Sequence, residues 1–130
     1  MPKIKSSIQV AKASYSFAVD GGAVGDIALR GETIPSGVII TDCLIVVGTA
    51  LDSGGSATVA VKAQSAADLN AADAFGGAPW STTGAKRGDF DADTAPILTT
   101  AERTITATVA TAALTAGVFD VYVTYMEPAA

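Results

Sequence analysis

A chain of 130 residues with net charge −5, whose side chains are 49% apolar but only 6% aromatic, suits one domain with a core of Ala, Val, Ile and Leu. Histidine is absent, which excludes His-based general bases, Ser-His-Asp and Cys-His nucleophiles, and the commonest zinc ligands. Charged residues make up 16%, below the roughly 25% usual in soluble domains, so copies of the chain or a partner are expected to cover part of the surface.

Residues 1–12 hold Lys3, Lys5 and Lys12 and no acid, a local +3, whereas residues 13–130 hold five basic and thirteen acidic side chains, or −8. An acidic body disfavours nucleic acid, whose binding draws on Lys and Arg meeting phosphates. No apolar h-region follows the first lysines, and no run approaches the roughly 18 residues of a membrane span. Synthesis in the cytoplasm and no membrane partner are therefore expected. Ile8 and Val10 have the opposite parity to Tyr15, Phe17 and Val19, and one flat strand cannot bury both sets on one side. The break is either a bulge near Lys12 or an arm. Its coincidence with the basic segment favours an extended arm over residues 1–12, with a single β-sandwich domain over 13–130.

Asp20 to Gly25, Asp-Gly-Gly-Ala-Val-Gly, has the glycines of a loose dinucleotide-binding fingerprint, but no helical pattern follows it, so it reads as a hairpin turn. A short strand is expected over Asp26 to Leu29, ended by Arg-Gly-Glu, and Ile34-Pro35-Ser36-Gly37 reads as a turn. Val38 to Val47 is apolar on both faces, as a strand covered on two sides would be. Within it Cys43 reads as a small buried apolar residue. Gly48 to Gly55 reads as a loop, and Ala57, Val59, Val61 and Ala63 alternate along a returning strand.

Ser65 to Phe75 reads as a short helix, with Ser65 as cap, Asp68 three residues on, and alanine predominant. Gly76 to Pro96 has no periodicity and reads as a long loop. Thr104 to Ala110 and Phe119 to Tyr125 alternate with period two, placing Ile105, Ala107, Val109, Phe119, Val121, Val123 and Tyr125 inward. The sum is an all-β, antiparallel β-sandwich, jelly-roll-like in its connections, with one short helix and a long loop.

Few residues could carry chemistry. Asp89, Asp91 and Asp93 have the spacing that opens a calcium loop, but Thr94 and Thr100 stand where an EF-hand needs Gly and a bidentate Glu. A different cation site and a solvated acidic loop both stay open. Trp80 could be a ligand platform, an interface anchor, or a plug over an open end of the sandwich. No catalytic residue, cofactor site or metal site is assigned.

The start Met-Pro-Lys-Ile-Lys, the early Phe-Ala-Val-Asp-Gly-Gly, the Gly-Gly-Ser-Ala-Thr-Val of the middle turn, and the ending Leu-Thr-Ala-Gly-Val-Phe-Asp-Val-Tyr-Val-Thr-Tyr are similar to parts of small virion proteins. In these segments, about half the chain, the sequence resembles the head decoration (cement) proteins of tailed bacteriophages and related small virion structural proteins. That resemblance implies a non-catalytic subunit that binds the major capsid protein of an assembled shell and reinforces it. It also implies self-association, with a homotrimer preferred and a dimer possible. Lys3, Lys5, Ile8, Val10, Lys12 and Trp80 are the expected interface residues. A tail or fibre module that binds carbohydrate or another virion protein is the alternative, and Trp80 is the residue that suggests it.

Overall fold

The protein is described by a computed structural model that covers residues 7–88 and 96–127. The two closing strands are the clearest product of the sequence, although the looped hairpin that their spacing allows is not formed. Strands β8 (Arg103–Ala110) and β9 (Leu114–Glu127) bury Ile105, Ala107, Val109, Phe119, Val121, Val123 and Tyr125, and turn Asp120, Tyr122 and Thr124 outward. The two strands do not pair with each other. Strand β8 joins β2 (Gly25–Ile34) and β4 (Thr58–Lys62), while β9 lies between β1 (Ser7–Ser16) and β3 (Ile39–Ser53).

With β5 (Asn70–Ala74), β6 (Gly84–Arg87) and β7 (Ile97–Leu98), these strands form one curled antiparallel sheet in the order β5-β4-β8-β2-β1-β9-β3-β6, with β7 on β3. Its two halves meet at β1 and β2, and their inward faces share one hydrophobic core that runs from Val59 and Val61 to Ile45 and Val123. The architecture is the all-β, sandwich-like one that the alternation predicts.

Several local expectations are corrected. Ser65 to Phe75 is not a helix: the Asp68 carboxylate accepts bonds from the N–H groups of Ala63, Gln64 and Ser65, and residues 70–74 then form β5 against β4. A short alanine-rich segment cannot hold a helix alone, and sheet pairing wins. Conversely, Phe17–Asp20 is a helical turn (α1) rather than a strand, so Phe17 and Val19 are exposed and only Tyr15 of that trio enters the core.

Strand β2 does not end at Arg-Gly-Glu but runs through it to Ile34. Gly31 permits this, with φ +137°, because a Cβ there would stand 2.3 Å from the Lys12 carbonyl oxygen. Residues 48–53 continue β3 instead of forming a loop, and residues 84–87 of the expected long loop form β6 on the edge of β3. Along β3 a register shift between Ile40 and Asp42 moves the inward set from Ile40 to Cys43, Ile45 and Val47. The outer face of β3 is not covered: Leu44 is 37% exposed.

Residues 7–12 do not form an arm. They are the first half of β1, paired in unbroken register with β9 from Ser7↔Glu127 to Lys12↔Tyr122. No bulge intervenes at Lys12 either. The parity conflict is resolved by leaving Ile8 and Val10 on the outer face and burying Ala11, Ala13 and Tyr15.

Candidate functional site

Trp80 is fully buried, its ring centroid 4.8 Å from that of Phe119 and its Nε1–H donating to the Val59 carbonyl at 3.2 Å. Tyr15 stacks on the other side of Phe119 at 5.0 Å. The expected interface role is therefore corrected: Trp80 is a core plug that ties β4 to β9, and it presents no ring to a ligand. The carbohydrate-binding alternative loses the residue it rested on.

Cys43 is also buried, and burial first, then the nearby Asp42 and Asp68 charges, push its thiol up to about 12. That leaves no thiolate near neutral pH. Among the described residues, no group of three His, Cys, Asp or Glu side chains could hold a metal ion. Asp89, Asp91 and Asp93 lie outside the described residues, as do Lys3 and Lys5.

Several charged side chains are used in ion pairs. Arg30 donates to Asp20 at 2.9 Å, Lys62 to Asp26 at 2.8 Å, and Arg87 to Asp42. The Asp20 carboxyl also accepts the Ser16 N–H at 2.8 Å. Burial acts to raise its pKa, but the bonds from Arg30 and Ser16 outweigh it and hold the group below the ordinary carboxylate value. Together with the Tyr15 hydroxyl on the Gly21 carbonyl, these bonds fasten the end of β1 and α1 to β2. Gly22 follows because a Cβ there would stand 2.3 Å from the Leu114 carbonyl oxygen, whose residue donates back to the Gly22 carbonyl.

Where the outer strands of the curled sheet approach, Asn70 and Asp73 of β5, Lys86 and Arg87 of β6, and Ala78 and Pro79 line an open cleft of about 240 Å³. Sequence patterning gave no sign of it, because its walls come from segments read as helix and loop. Its charges are of both signs, and Lys86 already donates to the Thr82 carbonyl.

The remaining expected interface residues, Ile8, Val10 and Lys12, do come together. Ile8 is 75% and Val10 52% exposed on the outer face of β1. Directly across the strands, Ile8 faces Met126, Met126 faces Ile39, and Ile39 faces Leu98, which is 57% exposed. An apolar row thus crosses four strands. Lys12 bounds it, with Nζ 4.0 Å from Asp120 and 5.7 Å from the centre of the Tyr122 ring.

The backbone of the same segment is open on one side. The Lys12 N–H donates to Glu32 Oε1 at 3.0 Å, and its carbonyl lies against Gly31, so the polar groups of Lys12 face β2 rather than β9. Backbone groups alternate in direction along a strand, so those of Ile8 and Val10 point to that side too. Strand β2 meets β1 only at Ala13↔Gly31 and Ser14↔Arg30. Beyond Lys12 it has diverged, and among the described residues no strand pairs with Ile8 to Ala11 on that side.

No protein-family model matches this sequence, and no curated protein does. Solved structures do. A chain in the "acidic stable capsid structure" of Helicobacter pylori bacteriophage KHP30 aligns with a TM-score of 0.64 at 14% identity, over 98% of this chain and 95% of that one. A chain in the cyanophage Pam1 capsid asymmetric unit aligns with a TM-score of 0.62 at 20% identity, over 95% of this chain and 86% of that one. From first described strand to last, this chain has the fold of chains found in two phage capsids.

Proposed function

We propose that this chain is a non-catalytic structural protein of a phage virion, and that it binds and stabilises the outside of the capsid shell as a decoration or cement subunit. The observation that supports it most is the likeness of nearly the whole chain to chains of two capsid structures. The chemistry of the molecule agrees with that role. Its Trp and Cys are spent in the core, four ion pairs tie its surface strands and turns, and an apolar row lies open to solvent. A subunit that holds a shell together needs a rigid scaffold and adhesive faces. In this reading the partners are the major capsid protein and further copies of the chain, a trimer before a dimer. The protein is made in the host cytoplasm and ends on the capsid surface.

The test is reconstitution. Capsid shells lacking the protein are mixed with purified protein and sedimented. Saturable co-sedimentation, with a fixed number of copies per shell and increased resistance of the shell to heat, is expected. Absence of binding to shells, together with binding to isolated tails, would overturn the reading.

A further inference from the structure

We infer that the outer face of β1, β9, β3 and β6 is the face that lies on the capsid shell, against a flat apolar patch that brings no charge of its own. The outer face of β2, β8 and β4 then points to solvent. The inference deepens the shell-binding reading and rests on it.

The two outer faces differ in chemistry. On β2 and β8, Asp26 stands opposite Thr108 and Thr33 opposite Thr104, and Lys62 of β4 stands opposite Thr106. Asp26 accepts bonds from the Thr108 hydroxyl and the Lys62 ammonium, both at 2.8 Å. A polar outward set of this kind is what an antiparallel sheet with one face in water carries. The face of β1, β9, β3 and β6 departs from it. Beside the row Ile8–Met126–Ile39–Leu98, Val10 and Leu44 are also exposed.

Charge narrows what fits this face. Lys12 is matched with Asp120 and Arg87 with Asp42, each across neighbouring strands of the face itself. These pairs call for no counter-charge, and a charge brought by the occupant would be desolvated without a partner. A second copy fits less well. Lys12, Tyr122, Leu44 and Arg87 stand in one row across the four strands. Two copies stacked with aligned strands about a two-fold through the middle of this row set Lys12 over Lys12 or over Arg87, and like charges repel.

The face is also large enough. Four strands about 4.8 Å apart, over the length from Ile8 to Ser16, measure roughly 20 by 26 Å in plan. Side-chain relief brings that toward the roughly 800 Å² that each partner buries in a stable interface.

The test is co-sedimentation with shells lacking the protein, using variants from both faces whose folding is checked by thermal melting. Ile8→Asp and Leu98→Asp each place a charge on the apolar row and are expected to weaken shell binding roughly tenfold or more. Thr106→Asp, on the other face, is expected to bind as the wild type does. Because the face's ion pairs are internal, wild-type binding should change less than about twofold between roughly 50 and 500 mM salt. On shells, hydroxyl-radical labelling of Met126 and Tyr122 should fall.

A wild type that leaves shells bare overturns the shell-binding reading and this inference together. Where the wild type binds, three results overturn the face assignment alone: binding that survives both apolar-row variants, binding lost in Thr106→Asp, or unchanged labelling of Met126 and Tyr122. Self-association of the wild type that Ile8→Asp and Leu98→Asp abolish, with shell binding intact, would give the face to a second copy and overturn it as well. If either variant fails to fold, the labelling of wild-type protein decides.

Discussion

The two halves of β1 share a partner on one side and differ on the other. From Ala13 to Ser16 the strand lies between β9 and the end of β2, its inward residues buried and its end fastened by Asp20, Arg30 and the Tyr15 hydroxyl. From Ile8 to Ala11 it pairs, among the described residues, with β9 alone, and two aliphatic side chains stand in water. Nothing in the residues of β1 itself produces the difference, since both halves alternate small and larger side chains. It is produced by β2, which touches β1 around Gly31 and then turns to pair Thr33 and Ile34 with β8. Whether a stretch of strand is interior or edge is thus decided by a neighbour.

The largest effect should follow from breaking the strand both halves share. Val123 of β9 is fully buried opposite Ala11, and Val123→Asp places a lone charge in the core. A loss of about 4 kcal/mol or more is expected, seen as insoluble or unfolded protein. A soluble variant with a native melting curve would show that the inward face of β9 is misassigned.

Gly31→Val attacks the point where the halves divide. The new Cβ meets the Lys12 carbonyl oxygen at a positive φ, so β2 must withdraw and the open edge must lengthen. A cost of about 2–3 kcal/mol is expected from overpacking and backbone strain, measured by urea denaturation. An unchanged midpoint would mean that β1 and β2 are not in contact there.

Asp20→Asn loosens the fastened half alone and should cost about 1 kcal/mol, the scale of a lost charge-assisted bond near the surface. The same group gives a pH signature. Its folded pKa is lowered, so the unfolded chain takes up the proton first as pH falls. The contribution is complete above the unfolded carboxylate value and is lost as pH drops through the lower folded value. Stability measured from pH 6 down to pH 3 should fall more steeply in the wild type than in Asp20→Asn. Equal slopes would remove the role assigned to the Asp20–Arg30 pair.

The smallest effect on the fold, within about 0.5 kcal/mol, is expected for Ile8→Thr, because that side chain is already in water. Its consequence should appear in shell binding, which weakens while the melting temperature holds. A stability loss like that of a core residue would mean that Ile8 is covered within its own chain.

The same contrast governs how much could be read from sequence. Strands β8 and β9 were legible because one buried face imposes strict alternation, and Ile105 to Val109 and Phe119 to Tyr125 keep it without interruption. Ala57 to Ala63 was legible on the same ground. Residues 65–75 were not, because the alanines and the capping pattern of Ser65 and Asp68 favour a helix locally, while the outcome was set by the Asp68 carboxylate turning the chain and β4 offering an edge. The apolar run of β3 concealed its register shift, since either parity of Ile39 to Val47 can be buried. Trp80 shows why a lone aromatic in a loop is ambiguous: its place beside Phe119 comes from a contact between distant segments. Of the expected interface, Ile8, Val10 and Lys12 do stand together on one face, yet as part of a sheet and not of an arm. Their open side was invisible, because it depends on where β2 leaves.

The division of β1 into a closed and an open half can be measured at two amides that point the same way. The N–H groups of Val10 and Ser14 both face the β2 side, and Ser14 has Arg30 opposite it. Hydrogen exchange followed by NMR over a hundredfold range of protein concentration should find Ser14 protected throughout. Val10 should exchange rapidly at every concentration. A Val10 amide as protected as that of Ser14 in dilute protein would contradict the account.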